Sequence, residues 1–308
     1  MSGFAIYNYN FLRIIRPNEE YQLEFPDWVK VNVQESFENR QQLLEELLLA
    51  DFEKPFPFEN ARKKPYWHKP IVKPQDNVYV MRVANVTNVT ITDEHLMSQK
   101  YADYRNCLVI IDNRPGIQRI AIERKSTAFS HTKTVANILE ASFCKLLKSK
   151  LLKVELSAVY SSNVFWDMLK KYPNGFSKVT FHFPHLNLDR LTKVMDKYLK
   201  TAREDWDSDL DFTFGANEGG AVKIDPENSR QTALIAGASG AGAWIKMLPN
   251  GEKGKAILCG KDQFVVRELD SEVFNNLVIG AQPIPGMGQS AMDKVKVFMK
   301  DMPDTFTH

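Results

Sequence analysis

Apolar and aromatic side chains crowd the start of the chain: Phe4, Ile6, Tyr7, Tyr9, Phe11, Leu12, Ile14 and Ile15, stopped by Pro17. Such residues favour a pleated backbone, so residues 4–16 are expected to form a strand. The interval then changes. Leu43, Leu44, Leu47 and Leu48, with Glu45 and Glu46 between them, recur at helical spacing and predict a helix from Ser36 to about Asp51. The five prolines between Lys54 and Pro74, beside Arg62-Lys63-Lys64, Tyr66 and Trp67, predict an extended surface loop instead. Apolar positions return over 77–92 (Val78, Val80, Val83, Val86, Val89, Ile91), which reads as one long or two short strands.

The clearest local signal follows. Leu108–Ile111 and Ile117–Glu123 are β-branched runs joined by Asp112-Asn113-Arg114-Pro115-Gly116, a turn composition that predicts an antiparallel hairpin. Val135, Ile138, Leu139, Phe143, Leu146 and Leu147 mark one face of a helix over 134–150. Its last turns carry Lys145, Lys148 and Lys150, which suits the negative end of the helix dipole. A strand at 154–160, a short helix at 164–171, a strand at 178–183 and a charged helix at 187–206 are expected next. Beyond them the pattern predicts short strands at 210–214 and 221–224. A small-residue run at 234–244, a hairpin pairing 255–258 with 263–269, and a last helix capped by Ser290 complete it.

Strand pairs and helices interleave without a sustained βαβ repeat, so the fold class is α+β, with mixed or antiparallel sheets and two subdomains. The acidic stretch Glu204-Asp205-Trp206-Asp207-Ser208-Asp209 reads as a connector. It divides a domain at 1–205 from a β-rich subdomain at 206–289, followed by a helix and tail at 290–308. No disulfide framework is expected: the three cysteines, Cys107, Cys144 and Cys259, are far apart and suit a reducing cytoplasm. Neither a signal peptide nor an apolar run long enough for a membrane helix is visible, so no membrane partner is expected.

Charge changes the picture more than composition does. The net charge is only +2, yet residues 101–200 hold 17 Lys and Arg against 8 Asp and Glu. Residues 1–50 and 201–250 each hold 4 against 8, so a basic middle lies between acidic flanks. A positive surface of this kind suits a polyanion, and nucleic acid is the commonest one. The candidate binding residues are Arg114, Arg119, Arg124, Lys133, Lys145, Lys148, Lys150, Lys153, Lys170 and Lys171, with Trp166 or Tyr172 available to stack on bases. The same lysines would also serve simply to solvate helix faces.

Three motifs bear on chemistry. Asp112 followed by Glu123-Arg124-Lys125, then a helix and a strand, resembles the core of the PD-(D/E)xK nuclease superfamily. The resemblance implies that Asp112 and Glu123 hold Mg²⁺ against a phosphate while Lys125 orients the attacking water. Asp112 follows Ile111 rather than the proline of that motif, and a hairpin of mixed surface charge accounts for the same residues. Gly237-Ala-Ser-Gly-Ala-Gly242 has glycines that could cradle phosphate, but no Gly-Lys-Ser or Gly-Lys-Thr ends it, which favours a packed or flexible loop. His182 and His185 flank a proline and have no third metal ligand in view, so no metal or other cofactor is expected outside the nuclease alternative.

The layout around Leu108–Asp112, Arg119–Glu123 and Val135–Leu147 also resembles phage-exclusion and anti-phage defence proteins. That resemblance implies a defence setting and transfers no residue role. The expectation is a cytoplasmic protein that binds nucleic acid without sequence specificity. A Mg²⁺-dependent nuclease and a non-enzymatic subunit, paired with a second copy or another protein, are the alternatives.

Overall fold

The computed structural model describes residues 2–14, 33–72, 74–92, 94–183, 210–241, 243–251, 256–259, 265–270, 278–279, 282–283 and 288–300. The fold is α+β. In chain order the elements are β1 (Ser2–Arg13), α1 (Val33–Glu38), α2 (Arg40–Glu53), β2 (Phe58–Glu59), β3 (Pro65–Pro70), β4 (Val78–Thr92), β5 (Ser98–Asp112), β6 (Arg119–Glu123), α3 (Thr132–Leu147) and β7 (Leu152–Ala158). Then follow α4 (Asn163–Lys171), β8 (Phe176–Phe183), β9 (Leu210–Gly215), α5 (Ser229–Ala241), β10 (Trp244–Pro249), β11 (Ile257–Cys259), β12 (Val266–Leu269), β13 (Val278–Ile279), β14 (Gln282–Pro283) and α6 (Gly288–Lys300).

Two compact units emerge. The first comprises Met1–Ala5, Phe11–Leu156 and Arg267–Asp301; the second comprises Ile6–Asn10, Ser157–Val266 and Met302–His308. The units meet along the chain after 156 and after 266, and α6 belongs with the first unit. The acidic connector at 204–209 and the helix expected at 187–206 lie outside the described residues.

The larger sheet runs β12-β1-β6-β5-β4-β3-β2, with β7 also paired to β1. Its centre is the long antiparallel pair β4–β5, in register from Val78↔Asp112 to Thr92↔Ser98. β6 adds to β5 with Val109↔Ile122 through Asp112↔Arg119, the hairpin that the Asp-Asn-Arg-Pro-Gly turn predicts. Gly116 sits in that turn at φ +74°, a conformation that costs glycine little and other residues more.

Near the turn the sheet is buried on both faces: Val80, Met81, Ile110, Ile111, Ala121 and Ile122 are each at most 2% exposed. Such continuous apolar runs are what two covered faces require, and each large side chain contributes roughly 1.5–3 kcal/mol by leaving water. One face is met by α2, whose buried Asp51 takes a hydrogen bond from His68 Nε2 at 2.8 Å. The ring of Phe58 stacks on that imidazole with centroids 3.6 Å apart. The other face is met by α6, through Arg119 Nη1 on the Met299 carbonyl at 3.4 Å and an edge contact of Phe298 with Phe4.

The second unit holds an antiparallel sheet in the order β11-β10-β8-β9. Phe176, Val179, Phe181, Phe183, Ile245 and Met247 on one face build a core with Phe165 of α4 and Ile235 and Ala238 of α5. The opposite face carries Lys178, Thr180, Thr213 and Lys246 together with Trp244 and Leu258, each at least partly exposed.

Several local expectations need correction. β2 and β3 run through the proline-rich span taken as loop, because Trp67–Pro70 completes a ladder with β4. Residues 221–224 are not a strand, although Val222 N–H still bonds to the Phe176 carbonyl. The glycine-rich segment from Gly237 to Gly240 lies inside α5, where small residues let the helix pack closely and core burial outweighs roughly 1 kcal/mol of helix propensity per glycine. Residues 257–259 and 266–269 do not pair with each other: β11 adds to β10, and β12 to β1.

Candidate nucleic-acid interface

Asp112 ends β5 with no solvent exposure, and its carboxylate is already engaged. Arg114 closes on it with Nε at 2.9 Å from Oδ1 and Nη2 at 2.6 Å from Oδ2, and the Arg114 backbone N–H adds a third bond to Oδ1. This bidentate partner raises the guanidinium pKa further above its ordinary value. Arg119 stands directly opposite Asp112 and is buried beneath α6. Neither arginine belongs to an open binding surface.

Glu123 lies four residues beyond Arg119, about 13 Å along the ladder from Asp112 at 3.3–3.4 Å per residue. Its Oε2 accepts the Leu108 N–H at 2.9 Å, filling the gap where β6 leaves β5. The structure thus does not bring Asp112 and Glu123 together, and the shared Mg²⁺ site implied by the nuclease resemblance is not assembled from them. Lys125 is exposed just past β6. Among the described residues no cluster of three His, Cys, Asp or Glu side chains could hold a metal ion.

The remaining cations are at the surface but scattered. Lys133 begins α3, Lys148 and Lys150 occupy the single 3₁₀ turn after it, and Lys153 lies on β7. Lys145 is held by Glu59 at 2.9 Å. Lys170 and Lys171 end α4 in the second unit, where Lys170 pairs with Asp167 at 3.2 Å. Trp166 and Tyr172 pack against the second core rather than stand clear as stacking rings.

A better constellation appears on one face of β3–β4–β5, beyond the part that α6 covers. Residues directly opposite in antiparallel strands project to the same face, so the register lays out rows. Lys69 stands beside Arg82, then Trp67 beside Ala84 and Asn106, then Val86 beside Tyr104, and farther out Thr90 beside Lys100. Trp67 is 63% exposed and Tyr104 47%, and their rings meet edge to face at 5.7 Å. Arg82 Nη1 donates to Asn106 Oδ1 at 2.9 Å, which fixes the guanidinium next to the aromatic pair. Tyr66, on the opposite face of β3, has Lys64 5.2 Å from its ring.

Burial pushes the Cys107 thiol up to about 12; the Glu123 charge adds to the rise, while Lys125 and Arg82 oppose it. Burial also pushes Cys259 up to about 12 and raises Cys144, so all three thiols stay protonated at neutral pH and are poor nucleophiles.

Sequence reasoning missed Trp67, Tyr104, Arg82 and Asn106. The usable signal was Tyr66-Trp67 beside Arg62-Lys63-Lys64, an aromatic pair inside a basic cluster. Only the pairing of β4 with both β3 and β5 brings Trp67 to Tyr104. No helix among the described residues is long and apolar enough to cross a membrane. The chain matches no protein-family model and no curated protein sequence.

Proposed function

We propose that the chain binds nucleic acid without sequence specificity, using the open face of β3–β4–β5 in the first unit to hold a single strand. The observation that carries this reading is the exposed Trp67–Tyr104 pair among Lys69, Arg82 and Lys100 on one sheet face. Bases stack on aromatic rings whatever their identity, and phosphates are neutralised by lysine and arginine. Both requirements are met within a few rows of one ladder, on a rigid element rather than a loop. Anti-phage defence is the setting that the sequence resemblance implies for such an activity.

Fluorescence anisotropy with labelled oligothymidylate and oligouridylate, at low and high salt, tests the proposal. Affinity should fall steeply with salt, because each neutralised phosphate releases counterions. The double variant Trp67→Ala/Tyr104→Ala should bind at least about tenfold more weakly while keeping its urea unfolding midpoint, since each stacked base contributes about 1–3 kcal/mol. Unchanged affinity in that folded variant overturns the assignment of this face.

A further inference from the structure

The second unit carries a ring pair of its own. In the sheet β11-β10-β8-β9, alternate residues build the core, and the others form rows on the opposite face. One row is Asp211, His182 and Trp244; the next is Thr213, Thr180, Lys246 and Leu258; the third contains Lys178 and Leu248. The rings of His182 and Trp244 are stacked, with centroids 4.4 Å apart and planes at 22°. Asp211 Oδ1 lies 2.5 Å from His182 Nδ1 and locks the imidazole in this orientation. Thr180 and Thr213 bond to each other through their hydroxyls at 3.0 Å.

Trp244 remains 38% exposed and Leu258 39%, while Lys178 and Lys246 are exposed. The core lies on the other face, so Trp244 stands outside it. The ring is held in place by its stacked neighbour, which lowers the conformational entropy lost when a planar ligand covers it.

We propose that this open face is a second, separate stacking platform, whose ligand is a nucleobase of a single-stranded polyanion. Charge selects that ligand. Lys246 stands one row and Lys178 two rows from the ring pair, both to the same side, and Asp211, the one carboxylate among the described residues of these rows, is engaged by His182. An uncharged oligosaccharide would also stack on tryptophan but would gain nothing from Lys178 and Lys246. Lys246 lies two residues from Trp244 on the same face, about 7 Å along the strand, within reach of a phosphate attached to a stacked base.

The platform is independent of the Trp67–Tyr104 face, and the test keeps the two apart by using the Trp67→Ala/Tyr104→Ala protein as background. Labelled decathymidylate should still bind that background, and adding Trp244→Ala should weaken the residual binding about tenfold or more. Trp244→Phe, which keeps a ring, should restore most of it, and Lys246→Glu should weaken binding and reduce its salt dependence. Urea unfolding checks that each variant is folded, and maltohexaose serves as the uncharged competitor. Three results would overturn the platform: no binding by the background protein, binding unaffected by Trp244→Ala, or displacement of the oligonucleotide by maltohexaose. If the background protein fails while the unmodified chain binds, the proposed function stands and only this inference falls. If the unmodified chain binds no oligonucleotide, both fall.

Discussion

In the first unit Asp112 and Arg119 face each other across β5 and β6 beneath α6, and both are buried. In the second unit His182 and Trp244 hold an equivalent cross-strand position on β8 and β10, yet Trp244 remains exposed and a carboxylate orients the histidine. The contrast comes from coverage. A sheet with helices on both faces offers its charges little water, so Asp112 is fixed by Arg114 and Arg119 donates to the Met299 carbonyl. A sheet with one covered face keeps its core on that side and leaves the other free for solvent or a ligand. Basic residues near a polyanion site are informative only once the covered faces are known.

The largest test of this contrast is Asp112→Ala. It removes four hydrogen bonds from Arg114 and leaves a guanidinium half-buried without its carboxylate partner. Breaking such a pair should cost about 3 kcal/mol, read as a drop in the urea midpoint of the first unit. A loss below about 1 kcal/mol would mean that α6 does not depend on this pair.

The open sheet should respond far less. Thr180→Val/Thr213→Val removes a cross-strand hydroxyl pair at an accessible position, and about 0.5 kcal/mol is expected in the same measurement. A cost matching that of Asp112→Ala would erase the distinction between the two sheets.

The smallest effect concerns the rim of the closed sheet, where Lys296 of α6 meets exposed Asp76. The hydrogen bond from Lys296, and then its charge, hold the Asp76 carboxyl below its ordinary value. A depressed carboxyl adds stability that is fully present above its unfolded pKa, near 4, and is lost as pH falls through the lower folded value. Asp76→Asn should therefore flatten part of the decline in melting temperature below about pH 4. Equal decline in both proteins would show that this contact contributes nothing to holding α6.

The hairpin β5–β6 was legible because β-branched runs flank a turn whose residues allow few conformations. α3 was legible from its apolar face. β3 was not, since prolines at 65 and 70 and the preceding basic cluster resemble loop, and only the ladder with β4 makes the segment a strand. The helix at 229–241 was hidden for the opposite reason: glycine and serine weaken local propensity, while tertiary burial of Ile235, Ala236 and Ala238 decides the outcome. Of the proposed site little was legible. Trp67 and Tyr104 lie on different strands, and no local pattern shows that β4 joins them. Asp112 and Glu123 looked like partners because they bracket a hairpin, but register, which sequence spacing does not show, places one at the turn and the other at the open end.

The placement of α6 also bears on how the protein is made. Lys296 and Met299 accept hydrogen bonds from Arg114 and Arg119, and Phe298 meets Phe4, so the first sheet is completed by residues synthesised long after it. Translation proceeds at about 5–20 residues per second, so a nascent chain that has finished β6 waits on the order of ten seconds for this helix. During that interval Arg114, Arg119 and Phe4 lack the partners that α6 supplies. Residues 157–266, the bulk of the second unit, are made within the same interval. Newly made chains should therefore be most exposed to chaperones and proteases between the synthesis of β6 and the emergence of α6.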